Sequence, residues 1–127
     1  MNDNNRHQID VEVETQYLPE ESSPEENRYV FAYTITMHNI GTMPARLLSR
    51  HWVITDEDGV AKEVHGPGVV GEYPYLRPGE SFRYTSGTLL STPVGSMRGS
   101  YQMVADDGTT FEAQIPPFFL GAPRTLH

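Results

Sequence analysis

The chain contains no cysteine. That excludes disulfide scaffolds, thiolate zinc sites, iron–sulfur clusters and thiol nucleophiles together, and it is the usage expected of a reducing compartment. Basic residues are scarce: 9 Lys+Arg stand against 17 Asp+Glu, for a net charge of -8. The long-range field therefore repels phosphate backbones and anionic lipid, and neither a nucleic-acid partner nor membrane insertion is expected. No apolar run approaches the roughly 20 residues that cross a bilayer. The opening MNDNNRHQID lacks the apolar centre of a signal peptide, and nothing marks lipidation, so a cytoplasmic location is expected. Sustained helical periodicity is missing as well. With 10 prolines and 11 glycines in 127 residues there is little room for long helices.

What remains is a chain of single-domain length, residues 1–127, long enough to bury a core without staples. Residues 1–7 are polar and are expected to be disordered. From Ile9 to Tyr17, apolar or large residues at odd positions alternate with Asp10, Glu12, Glu14 and Gln16, the period of a strand with one face buried. Pro19 to Asn27 is a solvated loop. Tyr29, Phe31, Tyr33, Ile35 and Met37 then line one face of a central strand. Asn39 to Ala45 turns the chain into a third strand, Arg46 to Asp56, with Leu48, Trp52 and Ile54 on its expected inner face. The acidic turn Asp56-Glu57-Asp58-Gly59 returns it along Val60 to Val64. After a breaker-rich loop, His65 to Pro74, and a tight turn, Leu76 to Glu80, further strands are expected at Ser81–Ser86, Ser96–Ala105 and Thr109–Ile115. The last two form a hairpin about Asp106-Asp107-Gly108. Leu89 and Leu90 are expected in the core, and the proline-bearing tail Pro116 to Leu120 along an edge or end of it.

Short strands with turn signals at intervals of about 8–12 residues define an all-β fold. The expected architecture is an immunoglobulin/fibronectin type III-like β-sandwich of two antiparallel sheets, about seven or eight strands in all, with Trp52 central between them.

Chemistry-bearing patterns are few. Gly66-Pro67-Gly68-Val69-Val70-Gly71 matches GxGxxG, but the dinucleotide version needs a following helix to hold pyrophosphate, and Tyr73, Pro74, Pro78 and Gly79 end any helix there. Successive amides can still form an anion nest, with Lys62, His65 and Arg77 near it and Glu63 and Glu72 opposing them. Pro67 removes one of those amides, and a structural glycine loop is the favoured reading. If the second and third strands pair as a hairpin, His38 and His51 share a face but stand about 13 Å apart, too far for one metal ion. Asp56-Glu57-Asp58 lacks the spacing of a calcium loop, so no metal site is expected. Neither Ser86-Gly87 nor Ser91-Thr92 forms a nucleophile elbow, and no catalytic residue is assigned. Tyr73, Tyr75, Phe82 and Tyr84 flank the glycine loop; aromatics are enriched at binding hot spots, and they also cap cores.

Several co-linear blocks identify a family. Arg50-His51-Trp52-Val53-Ile54-Thr55-Asp56, the glycine loop with Glu72 and Pro74, Leu76-x-Pro78-Gly79-Glu80, Tyr84-x-Ser86-Gly87, Gly95-x-Met97-x-Gly99-x-Tyr101 and Ile115-Pro116-x-Phe118-x-Leu120 together resemble the ApaG protein family, from about Ile9 to Leu120. The resemblance implies a fibronectin type III-like sandwich and a small stand-alone bacterial protein associated with cobalt and magnesium handling. It also implies, as for members of that family, a gene near that of a diadenosine tetraphosphate hydrolase and kinship with domains appended to eukaryotic F-box and polymerase-interacting proteins. That recurrence, without an established reaction, implies an interaction module. The expected role is thus non-enzymatic binding of a protein partner, without cofactor, through Gly66, Gly68, Val69, Val70, Gly71, Glu72, Tyr73 and Tyr75. The alternative is a phosphate, pyrophosphate or nucleotide held by Gly66–Gly71.

Overall fold

The computed structural model describes residues 6–123. Its eight strands are β1 (Ile9–Tyr17), β2 (Tyr29–Asn39), β3 (Ala45–Asp56), β4 (Ala61–Pro67), β5 (Tyr75–Leu76), β6 (Ser81–Leu90), β7 (Val94–Ala105) and β8 (Thr110–Gly121). They form a three-stranded sheet, β1-β2-β6, and a larger one, β4-β3-β7-β8 with β5 beside β3, all pairs antiparallel. The expected two-sheet sandwich is what the chain adopts. Single 3-10 turns, Pro19–Glu21 and Pro24–Glu26, punctuate the acidic loop. No helix among the described residues is long and apolar enough to cross a membrane. Of the N-terminal segment expected to be disordered, residues 1–5 lie outside the described residues, while His7 Nε2 sits 3.0 Å from a carboxylate oxygen of Asp107.

The alternation in β1 and β2 works as read: Ile9, Val11, Phe31, Tyr33, Ile35 and Met37 are buried. Two pairings differ from expectation. β2 and β3 do not form a hairpin; they belong to different sheets, and the connection between them crosses the sandwich. Buried Asn39 makes that crossing possible. Its Nδ2 donates to the carbonyls of Met43 and Leu76, and its Oδ1 accepts from the Gly41 amide, so no polar atom of the side chain is stranded. The inner face of β3 also changes parity partway. Leu47 pairs with Met103 and Ser49 with Gln102, so Leu48 bulges out and is exposed while Leu47 is buried. The expected inward Leu48 is thus corrected, and Trp52 keeps its place. Leu90 enters the core, but Leu89 is exposed. The proline-bearing tail lies on the edge strand β8, where a second bulge falls between Met97 and Gly99 of its partner.

Tyr84 of β6 and Tyr101 of β7 hydrogen-bond through their hydroxyls across the sandwich. Burial raises both phenols well above the ordinary tyrosine value, and Tyr33 is raised by the same cause. In the folded state these groups keep protons that the unfolded chain gives up near pH 10. Their contribution to stability is therefore complete below about pH 10 and is lost progressively above it. Of the seven tyrosines, these three should develop tyrosinate absorbance only together with loss of near-ultraviolet circular dichroism. Smooth ionisation of all seven in a folded chain would contradict the burial.

Candidate functional site

The glycine loop grows out of the β3–β4 ladder, where Arg50 pairs with Gly66 and Ser49 with Pro67. A Cβ on Gly66 would lie 2.7–2.9 Å from the Arg50 guanidinium, so the first glycine makes room for an arginine. Arg50 Nη1 then donates to the carbonyls of Pro67 and Gly68, at 2.9 and 2.8 Å. Gly68 has φ 59 and donates its amide to the Leu48 carbonyl; a Cβ there would fall 2.5 Å from the Glu72 carbonyl oxygen. Val69 is fully buried and roots the loop in the core. Val69 and Glu72 exchange both backbone hydrogen bonds, closing a tight turn over Val70 and Gly71. Both central residues have positive φ, 43 and 79, the pattern of a primed turn.

For Gly71 that backbone is ordinary; for a β-branched valine it is an outlier. Val70 is also 55% exposed. The chain leaves the turn extended and enters β5 with no helix after Gly71, as expected. Exposed Tyr73 offers its carbonyl to Arg46 Nη1 at 2.8 Å, and the same guanidinium lies 5.1 Å from the centre of the Tyr75 ring, whose hydroxyl donates to Asp106. Two arginines of β3 thus brace the frame from beneath, with Val70 and Tyr73 projecting above it.

The structure gathers Gly66 to Tyr73 and Tyr75 at one place. It does not bring Tyr84 there, since that residue is buried on β6 beside Phe82. Arg50, not Lys62 or Arg77, is the cation built into the loop. Its role was hidden because the β3–β4 register decides what faces Gly66. Two constellations also escape the sequence reading. Asp10, His38 and Ser81 form one cross-strand row on the three-stranded sheet, with His38 Nδ1 and Ser81 Oγ 2.6 Å apart. The row is solvated, and β2 is central with its amides committed on both sides, so the row has no preorganised backbone donors of its own for an oxyanion. The other is His51, Glu63 and His65 on the β3–β4 hairpin. Counting back from the Asp56–Gly59 turn places His51 opposite His65, a signal lost when His51 is matched with His38 instead.

Known proteins align with this chain over its full length. The ApaG domain family model matches residues 19–105. Protein ApaG of Thiobacillus denitrificans is 61% identical over 127 residues, all of both chains, and that of Azotobacter vinelandii is 63% identical over 122 residues, 96% of this chain and 97% of its own. A crystal structure of the Bordetella pertussis protein designated ApaA superposes with TM-score 0.90 at 49% identity, covering 94% of this chain and 98% of that one. Matched in sequence and in fold, the chain belongs to the ApaG domain family.

Proposed function

We propose that the protein is a non-enzymatic, cytoplasmic binding module that recognises a protein partner through the tip of the Gly66–Tyr73 loop. The observation that carries this reading is Val70. An apolar β-branched side chain held at φ 43 and left 55% exposed is strained and lies outside the buried core, and such strain, of about 1–3 kcal/mol, concentrates where a chain meets something else. The Arg50 and Arg46 bonds make the tip rigid before a partner arrives, which lowers the ordering cost of association. Under this reading, the cobalt and magnesium handling that the family resemblance implies belongs to the complex the module joins.

The phosphate reading is less favoured by the loop's hydrogen bonds. Gly68, Val69 and Glu72 spend their amides on Leu48, Glu72 and Val69. Pro67 has none, and the carbonyls of Pro67 and Gly68 turn toward a guanidinium, the opposite polarity to an anion nest.

The test is Val70→Gly beside Tyr73→Ala. Glycine relieves the positive φ, so Val70→Gly should leave thermal stability equal to or above wild type. Cross-linked capture of the partner should fall at least about tenfold in each variant, as hot-spot truncations do. Undiminished capture by two folded variants would refute the assignment of this tip. Amide shifts confined to Gly66–Gly71 on addition of millimolar pyrophosphate would favour the alternative.

A further inference from the structure

On the outer face of the larger sheet, His51 and His65 are direct cross-strand partners, and Glu63 lies two residues from His65 on the same side of β4. Strand periodicity alone puts the three side chains together. The imidazoles stack with centroids 4.1 Å apart and planes 5° from parallel. The Glu63 carboxylate lies near both, one oxygen 3.7 Å from His51 Nε2 and the other 3.9 Å from His65 Nε2. These separations are too long for hydrogen bonds. His51 Nε2 is buried and has no hydrogen-bond partner, one of two such side-chain atoms among the described residues. Buried polar atoms are rarely left this way, and the Glu63 carboxylate stops short of this one at 3.7 Å.

We infer that His51, Glu63 and His65 form a binding site for a late first-row divalent metal ion such as Zn²⁺ or Ni²⁺. One ligand atom from each residue already lies within 4.8 Å of the other two, the only such trio of histidine and acidic groups among the described residues. Metal bonds near 2.1 Å require ligand atoms about 3.4 Å apart, so closure takes a shift of about 1 Å. His65 supplies it: its side chain is 67% exposed and can tilt out of the stack, which also brings both nitrogen lone pairs toward one point. Two imidazoles and one carboxylate are borderline donors that favour zinc, copper, nickel or cobalt over magnesium, which demands an octahedron of oxygens. The chain has no thiolate to compete for the ion. The side chains of Glu63 and His65 are both largely exposed, which leaves water free to complete the coordination. The inference is independent of the partner-binding reading, because these side chains lie on the outer sheet face rather than at the loop tip.

The experiment is calorimetric titration of the full-length protein with ZnCl₂ and, separately, MgCl₂, comparing wild type with His51→Ala, His65→Ala, Glu63→Gln and the control His38→Ala. One-to-one Zn²⁺ binding is expected, with Mg²⁺ at least about a hundredfold weaker. Each histidine variant should weaken Zn²⁺ by more than about tenfold, since the loss of even an outer-shell partner costs 10–100-fold. His38→Ala should bind like wild type. Substoichiometric Ni²⁺ should broaden the amide signals of residues 51–53 and 63–65 before any others. Unchanged Zn²⁺ affinity in His65→Ala, equal affinity for Mg²⁺, or broadening centred elsewhere would overturn the assignment. His65→Ala and Glu63→Gln alter exposed side chains, so the test survives if His51→Ala does not fold.

Discussion

Replacing Trp52 by alanine is expected to destabilise the fold by about 3–5 kcal/mol, the largest loss from any single side chain here. The ring is 2% exposed and stands between the sheets, edge-on to Tyr33 of β2 at 5.2 Å, to Phe118 of β8 at 5.9 Å and to Tyr101 of β7 at 6.4 Å. Each such pair contributes about 0.5–1.5 kcal/mol beyond its area, and one substitution removes all three while leaving a cavity where the layers meet. Since a domain of this size is stable by about 5–15 kcal/mol, the variant should be close to half unfolded at modest denaturant. Trp52→Phe should lose much less, because the indole N–H it removes has no partner. Urea denaturation followed by far-ultraviolet circular dichroism measures both, the chain having no other tryptophan to report by fluorescence. A shift below about 1 kcal/mol for Trp52→Ala would mean the ring is not bracketed as described.

The second large effect is expected at Gly99. A Cβ there would stand 2.1 Å from the His51 carbonyl oxygen and 3.1 Å from the Trp52 ring. The obstacle is backbone in the middle of the β3–β7 ladder, so no rotamer change relieves it and the strands must part. Gly99→Ala should therefore cost about 3 kcal/mol or more. Gly66→Ala is the informative contrast. Its added methyl meets only the mobile end of Arg50, which can swing to solvent, so the global cost should be small. What that substitution removes is the staple: faster amide exchange at Gly68 to Glu72 is expected without a matching fall in the denaturation midpoint. If the two alanines cost the same, the distinction between backbone and side-chain obstruction at these glycines is mistaken.

Much of the fold was legible because the deciding information is local. Alternation over Ile9–Tyr17 and Tyr29–Met37 names the buried faces, and the glycine-ended acidic turns at Gly59 and Gly108, with φ 83 and 84, locate two hairpins. Leu89 is a local misreading, since neighbours on β6 face opposite ways and only Leu90 can be buried, whereas the other misplaced residues depend on a distant strand. Leu48 points outward because β7 skips it, a choice made by residues more than fifty positions away. The chain between β2 and β3 crosses the sandwich because buried Asn39 can bond Met43 and Leu76 at once. The candidate site divides in the same way. The glycine loop and its tyrosines form a contiguous run and could be read directly, whereas Arg50 and the His51–His65 pair acquire meaning only from pairing register.

The larger sheet ends on β8, where Pro116 and Pro117 have no pairing partner on β7 and interrupt the row of donors along the rim. A rim of this kind cannot be extended by a neighbouring molecule laying its own backbone alongside, because two consecutive positions offer no N–H and the ribbon bends away just there. Phe119, 83% exposed two residues later, would otherwise be a sticky point for such growth. The two prolines thus blunt this rim of the larger sheet against strand addition.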